Sequence, residues 1–351
     1  MVTRITIPES SESRLTTLPV FMKRWLLSLL TLACACSPST QPASSLSQDN
    51  NVVFTPANTI VGVGSHGTFN ESVLLHQLGT ITRITFYTRV DTAGYHEQYR
   101  ARLALLRAQN VQPLVVVHDF IVRDTADRTM AQLVRDFPGT TWQVGNEYDV
   151  HPDFAEHTGA GYAAWMRKIV KAMRAVDPNV FIVGMGLVCT DGQDYTCTGP
   201  GNVQNSFTRN YLLNGGPILN AWAIHSYGSS LKYGLSIRVP AMLAALEPPR
   251  GRSLASVPAQ SPVMPIWITE IGADKAGIEA AYGGGRSLAQ IDTIQADEDM
   301  AAVNEARRLG VARMYFYQLS DGLDYGFGFV RADQFTKRPV YNAFKAAFGQ
   351  P

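Results

Sequence analysis

Short apolar runs alternate with longer amphipathic stretches along the chain from Thr55 onward. Short runs rich in valine and isoleucine are typical of parallel strands buried on both faces, and the longer stretches are typical of surface helices. The eight apolar runs are Thr59–Gly64, Thr82–Tyr87, Pro113–His118, Thr141–Gly145, Val180–Gly184, Ala221–His225, Pro265–Thr269 and Ala312–Tyr317. The helix-like stretches include Tyr95–Gln109, Thr125–Phe137, Gly161–Val176 and Leu288–Leu309. Eight repeats in roughly 300 residues predict an α/β fold of the (β/α)8 or TIM-barrel type, forming a single domain over residues 55–351.

A doubly wound sheet is the main alternative fold. Residues 62–67 read G-V-G-S-H-G, a G-x-G-x-x-G pattern directly after a predicted strand, and Asp91 follows where a ribose-binding acid would be expected. A single match of this kind is weak evidence, because glycines also serve tight turns at strand ends. The sequence therefore favours the barrel over a dinucleotide-binding fold.

The first 54 residues differ in character from the rest. Residues 22–36 contain two cations, an apolar run too short to cross a bilayer and then small residues, which is the layout of an export signal. Residues 1–21 are polar, so either Met22 is the true start or the signal has a long leader. Cys34 or Cys36 could be the lipidated cysteine of a lipoprotein signal, although neither has leucine three places before it. With a Ser/Pro/Gln-rich linker over residues 37–54, these features predict an exported protein: secreted, periplasmic or lipid-anchored at the cell envelope.

Cys189 and Cys197 are the two cysteines beyond this segment. Their spacing suits a small disulfide-closed loop in an oxidising compartment. A zinc site would need more ligands at tighter spacing, so we predict no metal there.

Charge and composition exclude one class of partner. The chain has 30 basic and 29 acidic residues, and a protein that binds nucleic acid normally concentrates basic charge on one surface. We therefore expect no nucleic-acid partner, contact with a membrane only through an N-terminal lipid, and a monomer.

Two carboxylates follow two of the predicted strands. In a TIM barrel the active site forms at the carboxyl ends of the strands. The fourth apolar run leads into Asn146-Glu147, and the seventh leads into Glu270. The chain has three Asn-Glu dipeptides, but only this one follows a β-rich run. A pair of carboxyl groups, one protonated and one ionised, is what the cleavage of a glycosidic bond requires, whereas the alternative is that both are salt-bridged strand caps.

Other strand ends carry polar or aromatic side chains as well. Arg83 lies on the second run, and the third ends in His118-Asp119. The sixth continues through His225-Ser226-Tyr227, and the eighth ends near Tyr317. Tyrosine can stack on a sugar ring while presenting a polar edge, so we expect these residues to line one carbohydrate-binding face.

Together these residues resemble clan A glycoside hydrolases, which include families 5 and 39. The resemblance covers about residues 55–348. It rests on Asn146-Glu147, Ile268-Thr269-Glu270, His225-Ser226-Tyr227, Arg83, His118 and a C-terminal segment that runs from a glycine-rich loop (Tyr325–Gly328) into Lys337–Phe344.

The resemblance implies a retaining glycosidase that acts on a β-linked glycan or glycoside without a cofactor. Glu147 would be the general acid/base and Glu270 the nucleophile. Asn146 would bond the sugar 2-hydroxyl. The other substrate-binding residues it implies are Arg83, His118, His225, Tyr227 and Tyr317.

The sequence departs from the clan pattern in two places. No proline follows Asn146-Glu147, and Tyr317 or Tyr315 stands in place of the tryptophan of the eighth strand. Two other functions stay open: a catalytically inactive sugar-binding barrel, and a metal-dependent hydrolase that uses His118, Asp119 and His225. The latter lacks the H-x-H or H-E-x-x-H spacing of adjacent ligands.

Overall fold

Every predicted apolar run contains a strand in the computed structural model. The strands are β1 (Ile60–Ser65), β2 (Ile81–Phe86), β3 (Gln112–Val117), β4 (Thr141–Val144), β5 (Ile182–Val183), β6 (Leu187–Cys189), β7 (Trp222–Tyr227), β8 (Ile266–Gly272) and β9 (Arg313–Phe316). Neighbouring strands pair in parallel throughout.

The structure describes residues 58–65, 69–86, 93–117, 123–150, 154–189, 207–227, 230–246, 264–321, 326–333 and 336–349. They all belong to one compact unit, Val52–Pro351. The predicted leader, signal and linker lie outside the described residues, as do Cys197 and the side chain of Cys189. Within the described ranges, no helix is both long and apolar enough to cross a membrane.

The strands close into a ring. Their order is β5-β4-β3-β2-β1-β9-β8-β7-β6, with β5 and β6 at the two ends of the list. These two strands follow each other along the chain, separated only by residues 184–186. Val183 of β5 also forms a parallel bridge with Ala221, directly before β7. Because β5 and β6 act as one interrupted strand, the barrel has eight strand positions. The prediction of a (β/α)8 fold is therefore confirmed.

Helices cover the outside of the ring. They are α1 (Phe69–His76), α2 (Ala93–Ala108), α3 (Ala126–Asp136), α4 (Gly159–Val176), α5 (Phe207–Leu213), α6 (Leu231–Leu246), α7 (Lys275–Tyr282), α8 (Leu288–Arg308) and α9 (Pro339–Phe348). Local sequence sets several of their starts. Ser287 and Gln290 form a reciprocal capping box at α8, and Pro339 opens α9, where a missing N–H costs nothing.

The ring rules out the doubly wound alternative, because β1 to β5 neighbour one another in chain order and the last strand, β9, pairs with the first, β1. Gly62 has a structural reason instead. A β-carbon at this position would overlap the Ile81 carbonyl oxygen, so glycine lets β1 approach β2 closely.

Tyr162 links α4 to the end of β4 and to the segment between β5 and β6. Its buried hydroxyl donates to the Val144 carbonyl at 2.7 Å and accepts from the Met185 N–H at 2.9 Å. One side chain thereby satisfies two backbone groups, at the end of β4 and between β5 and β6.

We expect Tyr162→Phe to lower the free energy of unfolding by about 2 kcal/mol, because it leaves two buried backbone groups without a partner. Denaturant unfolding measures the loss. Tyr341→Phe is the matched control, since the partner of the Tyr341 hydroxyl among the described residues is the side chain of Gln77, which is partly exposed and can turn to water. Equal losses in the two variants would contradict this account.

Candidate active site

The inside of the barrel changes from apolar to polar from bottom to top. Its apolar layer consists of Ile81, Leu114, Val183, Ala221, Ala223, Trp267 and Tyr315. Strand side chains alternate between faces, so residues two places further along point inward again. Arg83 follows Ile81 in this way, and His225 follows Ala223. Both are buried, and they form a polar layer directly above the apolar one.

A β-bulge in β8 brings Glu270 into this polar layer. Trp267 belongs to the interior cluster and Ile268 to the cluster beneath the helices. Strict alternation would therefore turn Thr269 inward and Glu270 outward. Beyond Ile268 the pairing shifts by one residue against both neighbouring strands, so that Glu270 lies opposite His225. One extra residue in β8 thus reverses the alternation, a device common beside active sites.

Glu270 is held by donors on both carboxylate oxygens. Arg83 Nη1 lies 2.6 Å from Oε1, and the Tyr227 hydroxyl donates to Oε2. Burial, together with the negative charges of Glu270 and Glu147, raises the pKa of Tyr227 well above its ordinary value. Tyr227 therefore stays a neutral phenol, and both contacts favour an ionised Glu270.

Glu147 follows β4, after Gly145 and Asn146, and has an unusual backbone conformation. Its φ is +54°, in the left-handed region that few residues other than glycine adopt. The Glu147 N–H bonds the Gly186 carbonyl at 3.0 Å, which ties this turn to the segment between β5 and β6. His225 Nδ1 lies 2.6 Å from Glu147 Oε1 and 3.7 Å from Glu270 Oε2. The imidazole therefore stands between the two carboxylates.

The two carboxylates face one another across a short gap. One oxygen of Glu147, one of Glu270 and one ring nitrogen of His225 all lie within 4.8 Å of each other. Their surroundings differ, because the Glu147 side chain is 23% exposed and that of Glu270 is 10% exposed.

The same three groups are the one set among the described residues whose spacing would suit a metal ion. Arg83 lies 2.6 Å from Glu270, however, and its positive charge opposes a cation at that carboxylate. Two of the predicted ligands of a metal-dependent hydrolase, His118 and Asp119, lie outside the described residues.

Three aromatic rings pack together at the site, and one of them, Tyr227, contacts Glu270. The ring centroid of Tyr227 lies 6.2 Å from that of Tyr317 and 5.6 Å from that of Phe327, and those two rings are 5.7 Å apart, all edge to face. Tyr317 and Phe327 are partly exposed. Of the two tyrosines that could replace a tryptophan, Tyr317 therefore lies at the site, whereas Tyr315 is buried in the apolar layer.

The loop that carries Phe327 is anchored from below. Gln295 of α8 donates to the Phe327 carbonyl at 2.9 Å. Arg338 donates to the Gly326 and Gly328 carbonyls, both at 2.7 Å, and pairs with Asp292 of α8 at 2.9 Å. The buried guanidinium thus fixes the glycine-rich loop to the start of α9, the two parts of the C-terminal motif.

The structure brings six of the predicted site residues into one cluster: Glu147, Glu270, Asn146, Arg83, His225 and Tyr227. Tyr317 joins through Tyr227, and His118 lies outside the described residues. Gln143, Gly186 and Phe327 complete the site but were not predicted from the sequence. The alternation of β4 could have indicated Gln143, since it lies on the face opposite Trp142, and Phe327 lies in the glycine-rich loop of the C-terminal motif; nothing local marks Gly186.

Comparisons with known proteins support the fold. A scan against models of protein families and a search of curated proteins both found no match. Solved structures do match. An exo-β-1,4-mannosidase, Op5Man5 from Opitutaceae bacterium strain TAV5, is 14% identical with a TM-score of 0.56 and coverage of 82% of this chain. This chain spans 59% of that protein's length.

Two further matches are similar. A GH39 enzyme from Xanthomonas axonopodis pv. citri is 14% identical over 84% of this chain and 67% of its own, with a TM-score of 0.57. GH5_18 from Streptomyces cattleya, in complex with GlcNAc, is 17% identical over 85% and 83%, also with a TM-score of 0.57. At these identities the likeness establishes the barrel fold and leaves function to be argued from the site.

We expect Gly186→Ala to turn the His225 ring away from Glu147, because a β-carbon at position 186 would overlap the imidazole. A crystal structure of the variant measures the distance from Nδ1 to Oε1, which is 2.6 Å in the native protein. Gly284→Ala is the control, since nothing lies within 4 Å of its added carbon. An undisturbed His225 in Gly186→Ala would show that Gly186 is not needed for clearance.

Proposed function

We propose that this protein is a retaining glycoside hydrolase in which Glu270 is the nucleophile and Glu147 the general acid/base. The observation that carries the proposal is the carboxylate pair at the carboxyl ends of the barrel strands, with oxygens within 4.8 Å of each other and unlike partners. Cleavage of a glycosidic bond needs this combination of proximity and difference.

The contacts of Glu270 suit a nucleophile. An arginine and a neutral phenol donate to its oxygens, which favours the anion that would attack the anomeric carbon. In the first step a bond would form between a Glu270 oxygen and that carbon while the bond to the leaving oxygen breaks. Glu147 would give the leaving oxygen its proton.

The contacts of Glu147 suit an acid that later acts as a base. It is the more exposed of the pair, and its described side-chain partner is His225 rather than an arginine. In the second step Glu147 would take a proton from water as the water attacks the anomeric carbon and releases Glu270. His225 lies next to both carboxylates, so it would adjust its hydrogen bonds as negative charge moves from one carboxylate to the other.

The separation of the carboxylates supports retention of anomeric configuration. Retaining enzymes hold their carboxyl groups about 5–5.5 Å apart, whereas inverting enzymes need about 6.5–9.5 Å to admit a water molecule. A gap of at most 4.8 Å between the nearest oxygens lies below the range of inverting enzymes and therefore favours retention.

The substrate would be a β-linked glycan or glycoside. Asn146 lies beside Arg83, where it would address the sugar 2-hydroxyl. Tyr317 and Phe327, packed against Tyr227, offer partly exposed rings for the apolar parts of the sugar. The mannosidase and the GlcNAc-bound GH5_18 among the matching structures are consistent with carbohydrate as the ligand.

The test is a screen of the purified protein on aryl β-glycosides and β-glycans, beside Glu270→Ala and Glu147→Ala. We expect each substitution to lower kcat by about 10²–10⁴ or more, since each removes a proton-transfer or bond-forming group. Azide should rescue Glu270→Ala and yield the inverted glycosyl azide. With Glu147→Ala, it should yield the azide of retained configuration.

Glu279→Ala, which changes a carboxylate on the outer helix α7, is the control and should leave the rate unchanged. Binding of sugars without release of product would instead favour the inactive sugar-binding barrel. Full activity in Glu270→Ala would contradict the assignment of the nucleophile.

We also propose that the protein is a monomer, that the signal over residues 22–36 exports it, and that Cys189 and Cys197 form a disulfide. The cation–apolar–small pattern of residues 22–36 supports export, and the spacing of the two cysteines supports the disulfide. Cell fractionation of the full chain and of a variant lacking residues 22–36 tests export. Equal recovery of both from the cytoplasm would contradict it.

A further inference from the structure

Arg83, Gln143 and Asn146 form a closed set of hydrogen bonds beneath the two carboxylates. Arg83 Nη2 lies 2.6 Å from Asn146 Oδ1, and Arg83 Nε lies 3.5 Å from Gln143 Oε1. Gln143 Nε2 in turn lies 3.2 Å from Asn146 Oδ1 and 3.3 Å from the Gly145 carbonyl oxygen. Gln143 is fully buried and Arg83 is 4% exposed, so the donors of these bonds are shielded from water.

The chemistry of arginine fixes which way both amides face. A guanidinium has only N–H donors and no acceptor. The atom of Asn146 nearest Arg83 is therefore its carbonyl oxygen, and the same holds for Gln143. The Gly145 carbonyl, which can only accept, independently requires the NH2 of Gln143 on its side. Both ends of the set thus demand the same orientation of Gln143.

We infer that Gln143 is a positioning residue that, with Arg83, holds the Asn146 amide so that its NH2 group faces the sugar. The Asn146 oxygen is occupied by two donors, one from each neighbour. Asn146 is partly exposed, so its nitrogen is the end that can reach a ligand. Without Gln143, one of the two bonds that oppose rotation of this amide by 180° would be lost.

This inference rests on the proposed function and narrows its substrate. The sugar group opposite Asn146 must accept a hydrogen bond, as a 2-hydroxyl or the carbonyl oxygen of a 2-acetamido group does. A protonated 2-amino group has donors only, and it would meet the Asn146 NH2 donor to donor. The site should therefore discriminate against 2-ammonium sugars.

The test compares kcat/KM for an aryl β-glycoside with that for its 2-deoxy counterpart, in the native protein and in Gln143→Met. Methionine fills a similar volume but makes none of these bonds. We expect the preference for the 2-hydroxyl substrate to fall about tenfold, the effect of one misplaced hydrogen bond. Intrinsic differences in reactivity between the two substrates cancel when the variants are compared.

Thr82→Val is the matched control. It removes another buried hydrogen bond from the same strand as Arg83, from Thr82 Oγ1 to the Val63 carbonyl at 2.6 Å, and should leave the preference unchanged. If Gln143→Met slows both substrates by the same factor, Gln143 is only structural and the inference is wrong.

Asn146→Asp provides a second arm that does not depend on the folding of Gln143→Met. The aspartate would keep an oxygen toward Arg83 and present an acceptor where the NH2 stood. We expect the kcat/KM ratio of the 2-ammonium substrate over the 2-hydroxyl substrate to rise at least tenfold. An unchanged ratio would overturn the orientation assigned to Asn146. If the native protein cleaves no glycoside at all, the proposed function fails first and this inference falls with it.

Discussion

Arg83 and Glu270 form an ion pair inside the barrel, where charges removed from water are stable only if opposite charges and hydrogen bonds compensate them. Tyr227 and His225 complete the surroundings of the carboxylate, and Gln143 and Asn146 complete those of the guanidinium. Removal of one member of such a buried pair typically costs about 3–5 kcal/mol. The side chains of the polar layer therefore depend on one another, because the buried charges need these hydrogen-bond partners in place of water.

Local irregularities in an otherwise regular barrel position the side chains of the site. The bulge in β8 turns Glu270 inward, and the left-handed turn after β4 brings Glu147 to the same gap. The break between β5 and β6 places Gly186 where the His225 ring needs space. Such features cost stability locally and persist where surrounding structure holds them, which is why they concentrate at functional sites. The apolar layer below and the helices outside provide that support.

The periodicity of the sequence was sufficient for the fold and for the identity of the paired carboxylates. The eight apolar runs correspond to the eight strand positions of the barrel. Glu147 and Glu270 meet because the carboxyl ends of parallel strands lie at the same end of the barrel. The sequence could not reveal how they meet. Read by strict alternation, β8 turns Glu270 outward, and only pairing with both neighbouring strands exposes the extra residue. Gly186 was missed, and Phe327 was recognised only as part of the glycine-rich loop, because their roles depend on contacts with His225 and Tyr227, which lie far away along the chain.

The central claim is that Glu270 attacks the sugar and carries it as a covalent intermediate. Incubation with a 2-deoxy-2-fluoro glycoside bearing a good leaving group, followed by peptide mass spectrometry, tests it most directly, because fluorine slows release of the intermediate. The account predicts one sugar per chain, attached to the peptide that contains Glu270 and absent from Glu270→Gln. Attachment to another residue, or turnover of true substrates with inverted anomeric configuration and no adduct, would contradict it.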